Sequence, residues 1–229
     1  MKASQVIDIL TRAIPREIEW SKGEPYGPFN VPLDLEVKKI LFCVTATPEV
    51  TDYFKEHKYD LLISHHPWKR YVPQMIFHTA LDCCRGGLND QWRDALGVID
   101  PQHFDGTLGW YGKIAPIRFE DLVEKCERFM GHKIIGQLHS ELETIESVVI
   151  CTGLGGLVTD LAKSTKADCY ILGEATASAT QMGFKAVIEA GHTISEQMGI
   201  VLLRKLLPEI QIDAAPLELD YFGNETYCA

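Results

Sequence analysis

Apolar residues recur every three or four positions near the start of the chain, at Val6, Ile7, Leu10, Ala13 and Ile14. That period places one face of a helix against a core. Ser4 is in position to cap it and Pro15 to end it. Residues 37–46 are an apolar run that reads as a buried strand. Thr47-Pro48 then supplies an N-cap followed by proline at the first helical position, predicting a helix to about His57. A second apolar run, residues 59–64, is the next strand; it ends in His65-His66 and is stopped by Pro67. Residues 75–78 form a third, short strand. About ten residues separate it from His66, which barely allows a parallel crossover through a helix.

Further on, Gly86-Gly87 break the chain and Asn89 caps a helix through Leu96. Residues 19–32, rich in glycine and proline, read as a loop that Trp20, Tyr26 and Phe29 pack down. Residues 97–116 also read as a loop, with Gly106, Gly109 and Gly112 among aromatics. Residues 119–130 are an amphipathic helix and 133–138 a short strand, followed by an acidic stretch at 141–146. From Ser147 the pattern alternates. Strands are expected at 147–151, 168–172 and 186–190, with helices at 157–163, from Glu174 to Met182, and from Thr193 or Ser195 to about Leu207. Residues 216–222 read as a last edge strand. Strands alternating with helices predict an α/β fold with sheets covered on both faces. Both halves show strand, helix, strand and then a histidine near a carboxylate, a coarse internal likeness.

Composition narrows the class. The chain has 229 residues, enough for one large domain or two small ones, with 46% hydrophobic and 24% charged residues. That is the balance of a soluble, ordered chain. A net charge of −10 disfavours non-specific binding to nucleic acid or to an anionic membrane. The N-terminus lacks the apolar region of a signal peptide, and no apolar run approaches membrane-spanning length. The seven cysteines are scattered without a Cys-x-x-Cys. Cys43, Cys151 and Cys169 lie inside strand-like runs, as buried thiols of a cytoplasmic protein do. Vicinal Cys83-Cys84 can be read as a soft-metal or redox site, but buried structural cysteine is the base case.

The candidate chemistry sits at strand ends. His65 and His66 follow a strand at its carboxyl end, where open α/β sheets place their ligands. Neutral imidazole is the commonest protein metal ligand. Adjacent residues on a strand point in different directions, so the pair more easily serves two ions than chelates one. A pair of surface loop histidines is the plainer alternative. His78 and Asp82 follow the third strand with a spacing of four, and His192 and Glu196 span a strand-to-helix turn with the same spacing, so each pair can face one point. Glu196 also suits a helix N-terminus. A mixed His/carboxylate set with no thiolate suits Zn, Mn, Fe or Co, and a carboxylate can bridge two ions. The turn Gly153-Leu154-Gly155-Gly156 is either an anion cradle or a close-packed turn that only glycine fits. Glu174, after Gly173, is either a pocket acid or a helix cap.

Three blocks carry a resemblance. Ile63-Ser64-His65-His66-Pro67, then His78-Thr79-Ala80-Leu81-Asp82 with Gly86-Gly87-Leu88-Asn89-Asp90, then Gly191-His192-Thr193-Ile194-Ser195-Glu196 resemble the signature blocks of the NIF-three-like family. Its bacterial members are commonly called GTP cyclohydrolase 1 type 2 homologues. The likeness runs in order from about Val37 to Leu207. It implies a three-layer α/β/α fold of two related lobes, about 1–110 plus the C-terminal part and about 111–190, with no inserted extra domain. It implies a dinuclear metal site between the lobes and a homohexamer. By matching motif positions the ligands to two divalent ions (Zn, Fe or Mn) are His65, His66, Asp82, His192 and Glu196. Glu196 bridges, and His78 and Glu174 are at hand for proton transfer. The chain departs from the family at Thr45, where an acidic residue is usual, in a shorter segment between Pro67 and His78, and in the loop at 19–30. The expectation is a metal-dependent hydrolase acting on a nucleotide ring or a phosphoester. The alternative is a non-catalytic metal-binding scaffold, carrier or regulatory protein.

Overall fold

The helical period at the start of the chain builds α1 (Ala3–Ala13), with Ala3, Val6 and Leu10 buried on one face. Lys2, not Ser4, is its N-cap; Ser4 is exposed inside the first turn. Tertiary contacts move the start. The Ala3 amide donates to the Leu35 carbonyl, and Gln5 Oε1 reaches back to the Lys2 amide at 3.0 Å. The strand β1 (Gly27–Phe29) lies within residues read as a loop. Then come β2 (Lys39–Cys43) and α2 (Pro48–Glu56), where the Thr47 hydroxyl accepts the Val50 amide at 3.0 Å as its pattern requires.

Next are β3 (Leu61–Ser64) and β4 (Gln74–Ile76), which pair in parallel. The short crossover between them contains no helix. Fully buried Gln74 holds it instead: its side chain accepts the Arg70 amide at 2.7 Å and donates to the Trp68 carbonyl and the Ser64 hydroxyl, each at 2.9 Å. A short helix, α3 (Thr79–Cys83), follows. With five residues it is too brief to show a period in the sequence.

The structure is a computed structural model that describes residues 1–18, 23–104, 109–138, 144–175 and 179–220. Trp20, Gly106 and residues 141–143 and 221–222 lie outside the described residues, as do 176–178 of the helix expected to end at Met182. The chain divides into two compact units, one of Met1–Gly87 with the stretch from Glu196, the other of Leu88–Ser195. No helix among the described residues is long and apolar enough to cross a membrane.

The second unit opens with α4 (Leu88–Leu96). Asn89 is inside this helix rather than capping it. Its side-chain oxygen accepts the Thr152 amide at 3.0 Å, so tertiary pairing has taken the group that a cap would use. Residues read as a long loop form β5 (Ile99–Phe104) and β6 (Gly109–Ile117). The glycines misled the pattern. A Cβ on Gly112 would stand 2.7 Å from Val98 Cγ1 and 2.8 Å from the Ile99 carbonyl, so glycine is there for a close approach inside a strand. Pro101 is tolerated because β5 is an edge strand whose register shifts between Ile99 and Gln102.

The amphipathic helix α5 (Phe119–Met130) buries Phe119, Leu122, Cys126 and Met130, as its period predicts. It leads to β7 (Ile135–Leu138) and β8 (Ile145–Cys151). The next predicted helix is a 3-10 turn, Gly155–Val158, continued by α6 (Thr159–Ser164). Then come β9 (Cys169–Leu172), α7 (Ala179–Met182), β10 (Ala186–Glu189) and α8 (His192–Gln197). The strands lie in the order β5-β6-β8-β9-β10-β7, with β8, β9 and β10 parallel.

The chain returns to the first unit through α9 (Gly199–Leu206) and β11 (Gln211–Ala214). The single helix expected to reach Leu207 is thus two. The last strand is β11, not residues 216–222, of which the described part is turn. Alternating Leu217 and Leu219 imitate a strand, whereas β11 is short and half polar. The sheet order is β1-β4-β3-β2-β11. Side chains alternate across it. Ile40, Phe42, Leu61 and Ile63 join α1 and α9 in one core, and Leu41, Cys43 and Leu62 join Val50 and Phe54 of α2 in another. This sheet is therefore covered on both faces.

Candidate metal centre

Backbone pairing continues past the ends of β2 and β3: the His65 amide donates to Cys43 and the His66 amide to Val44, at 3.0 and 2.7 Å. The two side chains are buried, with 0% and 7% exposure, so they are not loop histidines at the surface. Each has its Nδ1 engaged. His65 Nδ1 lies 3.1 Å from the Phe77 carbonyl, which can only accept, so that nitrogen carries the proton and directs Nε2 inward. His66 Nδ1 lies 2.8 Å from the hydroxyl of fully buried Thr45.

Glu196 faces both rings. One carboxylate oxygen is 3.3 Å from His65 Nε2, the other 3.3 Å from His66 Nε2. Asp82, on α3, stands 3.8 Å from His65 Nε2. His78 caps the same helix, its ring centroid 5.0 Å from that of His65 and 5.7 Å from that of His66. Within this unit, His65, His66 and His78 form one group and His65, Asp82 and Glu196 another. In each, the ligand atoms lie within 4.8 Å of one another. Because the His65 Nδ1 proton is committed to Phe77, its Nε2 lone pair points at carboxylate oxygens. A cation, or a second proton on the ring, must balance that arrangement. Three imidazoles and two carboxylates without a thiolate match the donor preferences of Zn, Mn or Fe. The residues present therefore fit a divalent ion.

Two residues here were not singled out in the sequence. The Glu24 carboxylate accepts from His78 Nδ1; nothing local marks an acid in a glycine- and proline-rich loop. Asp220 is fully buried and accepts the amides of Val44 and Thr45 at 2.9 and 2.7 Å and the side-chain amide of Gln197 at 2.8 Å. Burial pushes its carboxyl up to about 7, against the pull of hydrogen bonds from Gln197, Val44 and Thr45; the charge of Glu196 adds to the rise. A carboxyl raised above its unfolded pKa of about 3.9 binds its proton more tightly when folded. Its contribution to stability is full below that value and is lost as pH rises through about 7. In metal-free protein, wild type should therefore lose stability relative to Asp220→Asn as pH rises from about 4 to about 7. Denaturant titrations at both ends of that window check this, and a constant difference contradicts it.

In the second unit, buried His192 opens α8, one turn before Glu196. Its Nδ1 donates to Glu174 at 2.9 Å, so Glu174 orients the imidazole. The glycine turn is closely packed at Gly155, where a Cβ would stand 2.9 Å from Leu172 Cβ and from the Tyr170 hydroxyl. The Gly155 amide donates to the Gly153 carbonyl at 2.8 Å and the Gly156 amide to the Glu174 carbonyl at 3.2 Å, so neither is aimed at a ligand. Cys84 is buried and Cys83 half-buried; both are thiols.

The Duf34/NIF3 (NGG1p interacting factor 3) family model matches residues 1–71 and 69–220. The GTP cyclohydrolase 1 type 2 homolog of Methanocaldococcus jannaschii is 24% identical over 248 residues, covering 96% of this chain and 100% of the relative. The protein of the same name from Haemophilus influenzae is 26% identical, over 86% of this chain and 91% of its own. The solved structure of reduced HcgD from Methanocaldococcus jannaschii superposes with a TM-score of 0.81 at 22% identity, covering 96% of this chain and 98% of that one, a likeness of fold. With nearly its whole length matched, this chain belongs to the Duf34/NIF3 (NGG1p interacting factor 3) family.

Proposed function

We propose that the protein binds two divalent metal ions through His65, His66, Asp82 and Glu196, and that it is a metal-dependent hydrolase. His192, which opens the helix carrying Glu196, is the further ligand that the motif supplies. The observation that carries the reading is the placement of Glu196, with one carboxylate oxygen 3.3 Å from each of two imidazole nitrogens. A carboxylate so placed can hold two cations at once. When bound, divalent ions at such a set supply a Lewis acid and acidify water near neutral pH.

The chain's own residues do the rest. Phe77 and Thr45 hold the rings of His65 and His66, which directs each Nε2 toward Glu196. Glu24 holds His78 by Nδ1, leaving Nε2 to take up or return a proton. The His78 side chain is 24% exposed, enough for a substrate to reach it. The name shared by the relatives points to hydrolytic opening of a nucleotide ring, and a phosphoester would use the same residues.

The test begins with metal content. Wild type should hold about two ions per chain and His66→Ala should lose at least one, read by mass spectrometry of the elements. Full occupancy in that variant overturns the ligand set. A hydrolysis screen over nucleotides and phosphoesters, with the metal restored, then tests catalysis. A protein that keeps its ions and turns over none of these is a metal-binding scaffold instead.

A further inference from the structure

We propose that Asp220 is a positioning residue for this metal centre, one carboxylate that fixes the supports of His66 and of Glu196 together. The inference rests on the metal reading above. Asp220 stands 176 residues beyond Val44 and is brought to the end of β2 by the chain that follows β11. One oxygen accepts the Thr45 amide at 2.7 Å; the other accepts the Val44 amide at 2.9 Å and Gln197 Nε2 at 2.8 Å. Thr45 is the residue whose hydroxyl meets His66 Nδ1 at 2.8 Å. Gln197 is the immediate neighbour of Glu196, and its Nε2 also reaches the Ala215 carbonyl at 3.0 Å. Three donors thus converge on one buried carboxylate. Two belong to the strand end that supports His66, and the third to the helix that carries Glu196.

A hydroxyl is a weaker orienting partner for a ligand imidazole than a carboxylate. Here a buried carboxyl stands one step further back, at Asp220, and holds that hydroxyl's backbone in place through the Thr45 amide. An asparagine at 220 keeps the size of the side chain but turns an amide N–H₂ toward at least one of the three donors. Its buried pairing is then broken.

The test is a cobalt(II) titration of the full chain, wild type against Asp220→Asn, with the cobalt absorption spectrum as a second readout. Loss of an outer support typically weakens metal binding by about 10–100-fold. The variant should fall in that range, with an altered spectrum. Asp168→Asn is the control. In the second unit Asp168 likewise accepts two backbone amides, of Glu146 and Ser147, each at 3.2 Å. It should lose thermal stability with cobalt affinity unchanged. An Asp220→Asn protein that melts lower yet binds cobalt as tightly as wild type, with the same spectrum, overturns the proposal and makes Asp220 a backbone cap only. If that variant does not fold, Gln197→Ala carries the same test. It removes the Gln197 bonds to Asp220 and to the Ala215 carbonyl and leaves the Val44 and Thr45 amides on Asp220, and unchanged affinity there overturns the proposal too. Wild type that binds no cobalt defeats the metal reading itself, and this inference with it.

Discussion

Glu196→Gln is expected to weaken metal binding by roughly a hundredfold or more, beyond the usual effect of losing an outer support, and to leave the fold standing. The reason is charge and position together. The wild-type carboxylate presents one oxygen to His65 and the other to His66, each at 3.3 Å. Glutamine keeps one oxygen and replaces the other with a donor, so one imidazole nitrogen then faces an N–H₂ group. Two dications held at a separation of about 3.5–4 Å would lose the anion between them and repel with less compensation. The fold should persist because the next helix is anchored by apolar burial. Leu203 is fully enclosed, and Ile200 and Leu202 are nearly so. A residue serving only the helix dipole would behave differently: its loss costs about 0.3–1 kcal/mol of stability and leaves metal untouched. Thermal melts paired with metal titrations on the one variant separate these results. Unchanged affinity with a slightly lowered melting point contradicts the bridging role.

Gly87→Ala is expected to cost about 2–3 kcal/mol of stability through overpacking and to weaken the metal centre as well. A Cβ at this position would stand 2.2 Å from the Leu81 carbonyl oxygen and 2.9 Å from that of Cys84. Both are backbone atoms of the α3 region, so no side chain can swing aside to make room. Relief must move the helix itself. That helix carries Asp82, next in sequence to Leu81, and is capped by His78. A methyl group on Gly87, which is not itself a ligand, should therefore register at the centre. Urea denaturation and a metal titration check both parts. A stability loss below about 0.5 kcal/mol, the range of an ordinary surface substitution, contradicts the clash.

The elements that position the centre were largely legible because they rest on local signals. The run from Leu61 to Ser64, stopped by histidines and Pro67, is strand β3, and Thr47-Pro48 opens α2. The spacing of four puts Asp82 on a short helix behind His78, and Glu196 one turn after His192. What escaped the sequence depends on distance along the chain or on tertiary override of local preference. Glu24 meets His78 across 54 residues and Asp220 meets Val44 across 176, separations that leave no periodic trace. The strands β5 and β6 were hidden because glycine, a turn signal by default, serves there for close approach. β11 was missed because parallel pairing to β2 stabilises a segment whose own pattern is half polar.

The central claim is that Glu196 joins two metal ions held by His65 and His66. Anomalous diffraction from crystals of wild-type protein grown with zinc tests it most directly. The account expects two peaks about 3.5–4 Å apart. One should lie about 2.0–2.2 Å from His65 Nε2 and a Glu196 oxygen, the other equally near His66 Nε2 and the second Glu196 oxygen. A single peak, or two peaks with Glu196 outside the coordination of either, would contradict it.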